Sequence, residues 1–276
     1  MILKYDFEDG TGTVVTDTSG NSMNGTLVDA DWTANTDGRN GIAGEFVNAD
    51  SAVALPNDVF AGASELTVTA WVFMTDNQQW NHLFDIGTGT DNDLYFTFNN
   101  ENGGMELGLR LNGNAPQTLF TTTMLPLNVW KHVAITLSSK GAFMYVDGRE
   151  VARAAGLVIS PSVLGVTTSN WIGKSQFPYP EFSGRIDEFY MYKRALTKSE
   201  IAMLAWPKLY YSIWHFDETG EMRLDFLHPG ATLDEVRATL GWTPHVSASL
   251  APTPVPTEEE LRLIRDELDP EGMYTK

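Results

Sequence analysis

The chain has 276 residues, 36 of them Asp or Glu against 18 Lys or Arg, which gives a formal net charge of −18 at pH 7. That balance excludes docking to a nucleic-acid backbone or an anionic bilayer, since both need clustered Lys and Arg. There is no cysteine, so disulfides, thiolate metal sites and thiol nucleophiles are excluded as well.

Hydrophobic residues make up 42%, enough for a core of ordinary size in one large domain or two smaller units. The opening stretch, Met1 to Phe7, lacks the basic start and apolar run of a signal peptide. No segment approaches the ~18 uninterrupted apolar residues of a membrane span. The expectation is a soluble chain with neither nucleic-acid nor membrane partners.

Residues 1–206 alternate with period two. Leu66–Phe73, Leu94–Phe98, Met105–Leu111, Lys131–Leu137 and Ala142–Val146 are rich in β-branched and aromatic residues and are broken by Gly, Asn and Asp clusters. This pattern predicts short strands with one buried face. Asn112-Gly113 and Asp147-Gly148 supply the left-handed pair that two-residue hairpins favour. Trp71 and Trp130 are expected to point inward. Helical character first appears at Thr197, with Thr197 as N-cap and Glu200 at the third helical position. Many short strands with regular turn signals indicate an antiparallel sandwich.

From about 207 the texture is mixed. Leu209–Phe216 and Glu221–Leu227 read as a hairpin. Thr232-Leu-Asp-Glu235 is a capping box opening a short helix that Gly241 can close. Ala251–Pro256 reads as an extended linker, because each residue before a proline is pushed out of the helical region. Thr257–Glu260 is a second capping box, predicting a helix through about Leu268. Residues 207–276 therefore form a small α/β appendage.

Particular words carry family resemblance. Tyr5-Asp-Phe-Glu-Asp9, Asp17-Thr-Ser-Gly-Asn21, Leu66–Val72, Trp130–Ala134, Tyr145–Gly148, Asn170–Gln176, Gly184–Tyr192 and Arg194–Ile201 occur in order. Together they resemble the laminin-G-like, concanavalin A-like jelly rolls of bacterial glycan-degrading proteins. The resemblance implies a mainly β, antiparallel jelly-roll sandwich over 1–206. It also implies a secreted bacterial origin for this part, a carbohydrate-binding or spacer role beside glycoside hydrolases, and one structural Ca²⁺. Calcium takes six to eight oxygens in a flexible shell. The loop holding Asp17, Ser19, Asn21 and Asn24 offers that density, and the resemblance places Asp187 of the last strand beside it. The same loop residues can equally form Asx turns that bond their own backbone. Asp85, Asp91 and Asp93 are a second, sparser set of carboxylates.

Glycosidases of this type carry a Glu-x-Asp-x(x)-Glu strand whose carboxylates share one face. Residues 1–206 contain no such word. Its one occurrence, Glu267–Glu271, holds Pro270, which denies it a central strand. His82 and His132 lack sequence partners for catalysis, so a non-catalytic module is expected. Sugar binding needs an aromatic platform with planar polar groups. The candidates are Trp80, His82, Lys174, Gln176, Phe177 and Tyr179, with an oligo- or polysaccharide as partner; the plainer alternative is that these loops only pack.

Phe216–Leu224, His228–Arg237, Gly241-Trp242, Pro254–Arg265 and Leu268–Gly272 resemble the C-terminal segment of a family I CoA-transferase β subunit, a cytoplasmic type. That family's glutamate-bearing catalytic region is absent, and Glu101-Asn-Gly-Gly104 echoes only its wording. The juxtaposition suggests a chimera or scaffold as the alternative function. Tyr210, Ile213, Phe216, Leu224 and Phe226 need apolar cover, which either the jelly roll or self-association through the tail would supply.

Overall fold

A computed structural model describes residues 1–34 and 38–205, and in the C-terminal region 212–216, 218, 220–228, 231–239, 243–254 and 257. The chain divides into two compact units, Met1–Ala205 and Trp206–Lys276. The first opens with β1 (Leu3–Tyr5), β2 (Val14–Val15), β3 (Gly25–Val28), β4 (Asp31–Trp32), β5 (Gly44–Phe46) and β6 (Ala52–Ala54). Longer strands follow as β7 (Leu66–Met74), β8 (His82–Gly87), β9 (Asp93–Thr97), β10 (Glu106–Arg110), β11 (Gln117–Phe120) and β12 (Trp130–Ser138). Then come β13 (Gly141–Val146), β14 (Arg149–Ala154), β15 (Ser169–Ile172), β16 (Gly184–Tyr192) and helix α1 (Lys198–Ala205).

These strands form two antiparallel sheets. One has the order β14-β13-β12-β7-β16-β5-β4, with β1 also paired to β16; the other runs β11-β10-β9-β8-β15-β6-β3-β2. This is the expected jelly-roll sandwich, with its first and last strands adjacent. The core lies between the sheets. Val68, Ala70, Val72, Val133, Ile135 and Ile186 come from one side, and Phe84, Ile86, Leu94, Phe96, Leu107, Leu109 and Ile172 from the other. Period-two alternation sends their neighbours to the outer faces.

Trp71 and Trp130 are corrections to the expected core. Trp71 is buried, but its ring meets His132 edge-on at 5.5 Å and carries the Arg39 guanidinium at 4.3 Å. Trp130 is half-buried and packs on Phe73 at 5.7 Å. Both alternate with the core positions of their strands, so they cover the outer face of the first sheet. Asp147-Gly148 is the two-residue turn between β13 and β14, with φ of 48° and 73°. Asn112-Gly113 is left-handed too, but sits inside the longer connection between β10 and β11. The capping box at α1 forms as expected: Glu200 N–H donates to Thr197 Oγ1 at 3.3 Å, and Thr197 N–H donates to Glu200 Oε2 at 2.7 Å.

The second unit contains β17 (Ser212–Phe216), β18 (Met222–Leu227), α2 (Leu233–Thr239) and β19 (His245–Pro252). β17 and β18 make the expected hairpin, and β19 pairs parallel to β18 after the helical crossover. The stretch from Ala251, read from sequence as linker, begins as the end of this strand. Pro252 is its last residue, where a missing N–H does little harm. Gly241, Tyr210, the second capping helix and the Glu267–Glu271 word lie outside the described residues, as does the side chain of Phe216.

Phe96 is 1% exposed and touches Phe84 and Phe98. Phe96→Ala is expected to lower stability by roughly 3–5 kcal/mol. Val166→Ala, at a residue 63% exposed, should stay within about 0.5 kcal/mol; urea denaturation measures both.

Candidate functional site

The outer face of the second sheet carries a cleft of about 340 Å³. Core burial determines its floor. On β9, Leu94 and Phe96 enter the core, so Asp93, Tyr95 and Thr97 face the other way; on β10, Leu107 and Leu109 leave Glu106, Gly108 and Arg110 outside. His82 on β8 joins them. Trp80 comes from the preceding turn, Phe177 and Tyr179 from the loop after β15, and Thr118 and Phe120 from β11.

Tyr95 lies flat across β10, and its hydroxyl donates to Glu106 Oε1 at 2.6 Å. Burial, then this bond, holds its phenol well above the usual range. The contact requires Gly108, since a Cβ there would stand 2.3–2.5 Å from the Tyr95 ring. Asn100 Nδ2 donates to Glu106 Oε2 at 3.1 Å. His82 lies under the aromatic wall, and burial pushes its pKa down to about 4. Its Nδ1 sits 2.6 Å from the Trp80 carbonyl. A carbonyl only accepts, so Nδ1 carries the proton and Nε2 is an acceptor.

The wall is a continuous aromatic stack. Trp80 and Tyr179 are 5.6 Å apart and 20° from parallel, His82 and Tyr179 are 6.1 Å apart, and Phe177 and Tyr179 are 5.4 Å apart. Arg110 caps Phe177 with its guanidinium at 4.5 Å. Asp85 anchors the loop that carries this wall: its Oδ2 accepts from Gln176 N–H at 2.8 Å and from Ser175 Oγ at 3.1 Å. Burial, then the neighbouring Asp93 charge, pushes the Asp85 carboxyl well above its ordinary range. Burial also raises Asp93, to about 6, against the pull of Arg110.

Trp80, His82, Phe177 and Tyr179 thus meet in one cleft. Lys174 and Gln176 are not part of its lining. Lys174 Nζ pairs with Asp50 at 2.6 Å, and the Gln176 amide donates to the Ser169 carbonyl at 2.6 Å. Within this loop the rings turn to the cleft and the polar side chains tie it to the body. Sequence reasoning does not reach Tyr95, Glu106 or Arg110, and finds Asp93 only as a carboxylate among others. A glycine inside an alternating strand, Gly108, is the available signal, because it marks a close approach. Glu101, in the turn between β9 and β10, also lines the cleft.

The residues proposed for calcium are arranged differently. Asp17 Oδ1 accepts from Lys4 and Ser19 N–H, and Oδ2 from Met23 N–H and Ser19 Oγ, each at 2.9 Å. Asn24 Oδ1 accepts from Asp17 N–H at 2.9 Å, and Asn21 Nδ2 donates to the Ile2 carbonyl at 2.9 Å. Asp187 serves another turn, accepting from Asn40 and Glu188 N–H at 3.0 and 2.7 Å. Burial raises its pKa to about 8. Oxygens already committed to backbone donors do not fit a calcium shell as a set. Among the described residues, no group of three or more His, Asp or Glu is placed to hold a metal ion.

Gly108→Val should displace Tyr95 and destabilise by about 1–3 kcal/mol. In a Tyr95→Ala background the same change should cost less, so a double-mutant cycle by urea denaturation returns a coupling energy. Strict additivity would contradict this packing.

A family model described as the concanavalin A-like lectin/glucanases superfamily, of laminin-G type, matches residues 47–202, more than half the chain. Among curated proteins no sequence matches. Domain 4 of AbnA, a GH43 extracellular arabinanase from Geobacillus stearothermophilus solved with arabinotriose, superposes with TM-score 0.62 at 20% identity. That match covers 74% of this chain and 97% of the domain. Trypanosoma rangeli sialidase in complex with sialic acid gives TM-score 0.54 at 18% identity, covering 74% of this chain but 32% of the sialidase. The chain thus spans about a third of that enzyme, and identities this low speak to fold alone. With more than half its length matching one family and the same sandwich recurring in both structures, the chain belongs to the concanavalin A-like lectin/glucanases superfamily.

Proposed function

We propose that the cleft on the second sheet binds a neutral oligosaccharide without cleaving it. The observation that carries this reading is one cavity in which a stacked Trp80–Tyr179–Phe177 wall stands over a floor of Asp93, Tyr95, Glu106 and Arg110. Sugar rings offer apolar C–H faces to aromatic surfaces and hydroxyls to planar polar groups, and this lining presents both. Neutrality follows from charge. Asp93, Glu101 and Glu106 outnumber Arg110, whose guanidinium already stacks on Phe177. A sialic acid or uronate would meet net repulsion.

Spacing between the two acids of the floor favours a binding role over hydrolysis, and Asp85, although beside Asp93, lies outside the lining and holds the 174–179 loop. In the β9–β10 register Asp93 opposes Arg110 while Glu106 opposes Thr97. The backbone positions of the two acids therefore lie four residues apart along the strands, roughly 13 Å, with both side chains leaving the same face. Glycosidase pairs stand about 5–9.5 Å apart. For residues 207–276 we infer no chemistry: their likeness to a CoA-transferase terminal segment rests on sequence words that omit that family's catalytic glutamate. A fused interaction element is the role this leaves.

Titration calorimetry with arabinotriose, xylotriose, cellotriose and mannotriose tests the reading. At least one should bind, and Trp80→Ala and Tyr179→Ala should each weaken it about tenfold or more, as the loss of a buried aromatic contact implies. Failure of all four, or a preference for sialylated glycans, would contradict it.

A further inference from the structure

We propose that Asp93 is the specificity-determining residue of this cleft, its carboxylate accepting hydrogen bonds from a pair of neighbouring hydroxyls on a sugar stacked against the aromatic wall. This rests on the glycan-binding reading and narrows it to ligands with two adjacent free hydroxyls. Glu101 of the cleft is exposed to solvent, while the buried Glu106 and His82 of the lining are partnered, as is one oxygen of Asp85 behind it. Glu106 takes Tyr95 and Asn100, Asp85 takes Gln176 and Ser175, and His82 Nδ1 takes the Trp80 carbonyl. Asp93 differs: it is 1% exposed, lines the cleft, and neither carboxylate oxygen has a hydrogen-bond partner. A buried carboxylate in that state is costly to the fold, which is why such groups mark functional positions.

Arg110 forms an ion pair with Asp93 but gives it no hydrogen bond. Its Nε stands 3.8 Å from Asp93 Oδ1, beyond hydrogen-bond distance, while Nη1 donates to the Thr90 carbonyl at 3.2 Å and the guanidinium plane stacks on Phe177. Arg110 is thereby held beside the carboxylate as a positive neighbour, with donors of its own for a ligand oxygen. A planar carboxylate next to a guanidinium suits two vicinal hydroxyls, each able to donate to one group and accept from the other. A bound cation is the competing occupant of such oxygens. The positive charge of Arg110 and the lack of a third metal-ligating side chain among the described residues weigh against it.

The charged groups bearing on Asp93 are Arg110 from β10 and Asp85 from β8. With burial holding its pKa at about 6, Asp93 keeps its proton in the fold where the unfolded chain has lost it. Stability therefore falls as pH rises from the unfolded value through about 6. Affinity should run the opposite way, rising as Asp93 ionises and becomes a full acceptor.

The test is Asp93→Asn in the full chain, with Trp80→Ala alongside, against the four neutral trisaccharides above and the per-O-methylated form of the one that binds best. The inference expects Asp93→Asn to lose about tenfold or more in affinity, with a melting temperature at pH 7.5 equal to or above that of the native protein. It also expects the methylated sugar not to bind. Full affinity in Asp93→Asn with loss in Trp80→Ala overturns the inference while leaving the glycan reading intact. Failure of the native protein to bind any trisaccharide overturns both. A melting temperature several degrees lower in Asp93→Asn, or a Ca²⁺-dependent rise in the native protein that the variant lacks, assigns Asp93 to structure or to a cation and overturns it as well.

Discussion

Side chains on β9 and β10 can occupy their two faces in only one way, because Leu94, Phe96, Leu107 and Leu109 are buried between the sheets. Each such side chain contributes about 1.5–3 kcal/mol when withdrawn from water, and a slip of one residue would expose them all together. Asp93, Tyr95, Glu106 and Arg110 are placed by that constraint rather than by their own bonds. A floor fixed from beneath can hold a carboxylate without hydrogen bonds that a less constrained site would rearrange to satisfy. The cleft is thus a by-product of the core, whose burial decides which residues reach its floor.

The aromatic wall has a different origin. It stands on connections between strands, and each connection is pinned by polar contacts. Asp85 grips the backbone of the 174–179 loop from within the sheet. Trp80 adopts φ of 66°, unfavourable for a bulky residue, while its N–H donates to the Asn99 carbonyl at 2.7 Å and its carbonyl faces His82. Strain of this kind persists where surrounding contacts over-determine it, as at ligand clamps. Neutral His82 lies under Tyr179 without adding charge, so the wall presents a continuous apolar surface above an acidic floor.

Much of this organisation is legible in the residues themselves. Alternation from Leu66 to Val146 specifies the sandwich, Asp147-Gly148 its hairpin, and Thr197 with Glu200 the cap of α1. The aromatic half of the cleft is legible too, since Trp80, Phe177 and Tyr179 occur in loop sequences where no core demands them. The polar half is not. Asp93 and Arg110 are neighbours only through the β9–β10 register, and a lone carboxylate in a chain with 36 acids carries no mark of its burial. Trp71 shows the same limit from the other side: a large apolar residue on a strand reads as core, yet a stacked Arg39 can bury it on the outer face. The Asp17 loop likewise has a calcium-like composition, but its oxygens serve backbone amides, a distinction that only geometry makes.

The most direct measurement is a crystal structure of the full chain with the best-binding neutral trisaccharide. The account predicts a sugar ring stacked on Trp80 or Tyr179, with two adjacent hydroxyls within hydrogen-bond distance of Asp93. A sugar held elsewhere on the protein, or one in the cleft that leaves Asp93 untouched, would contradict it.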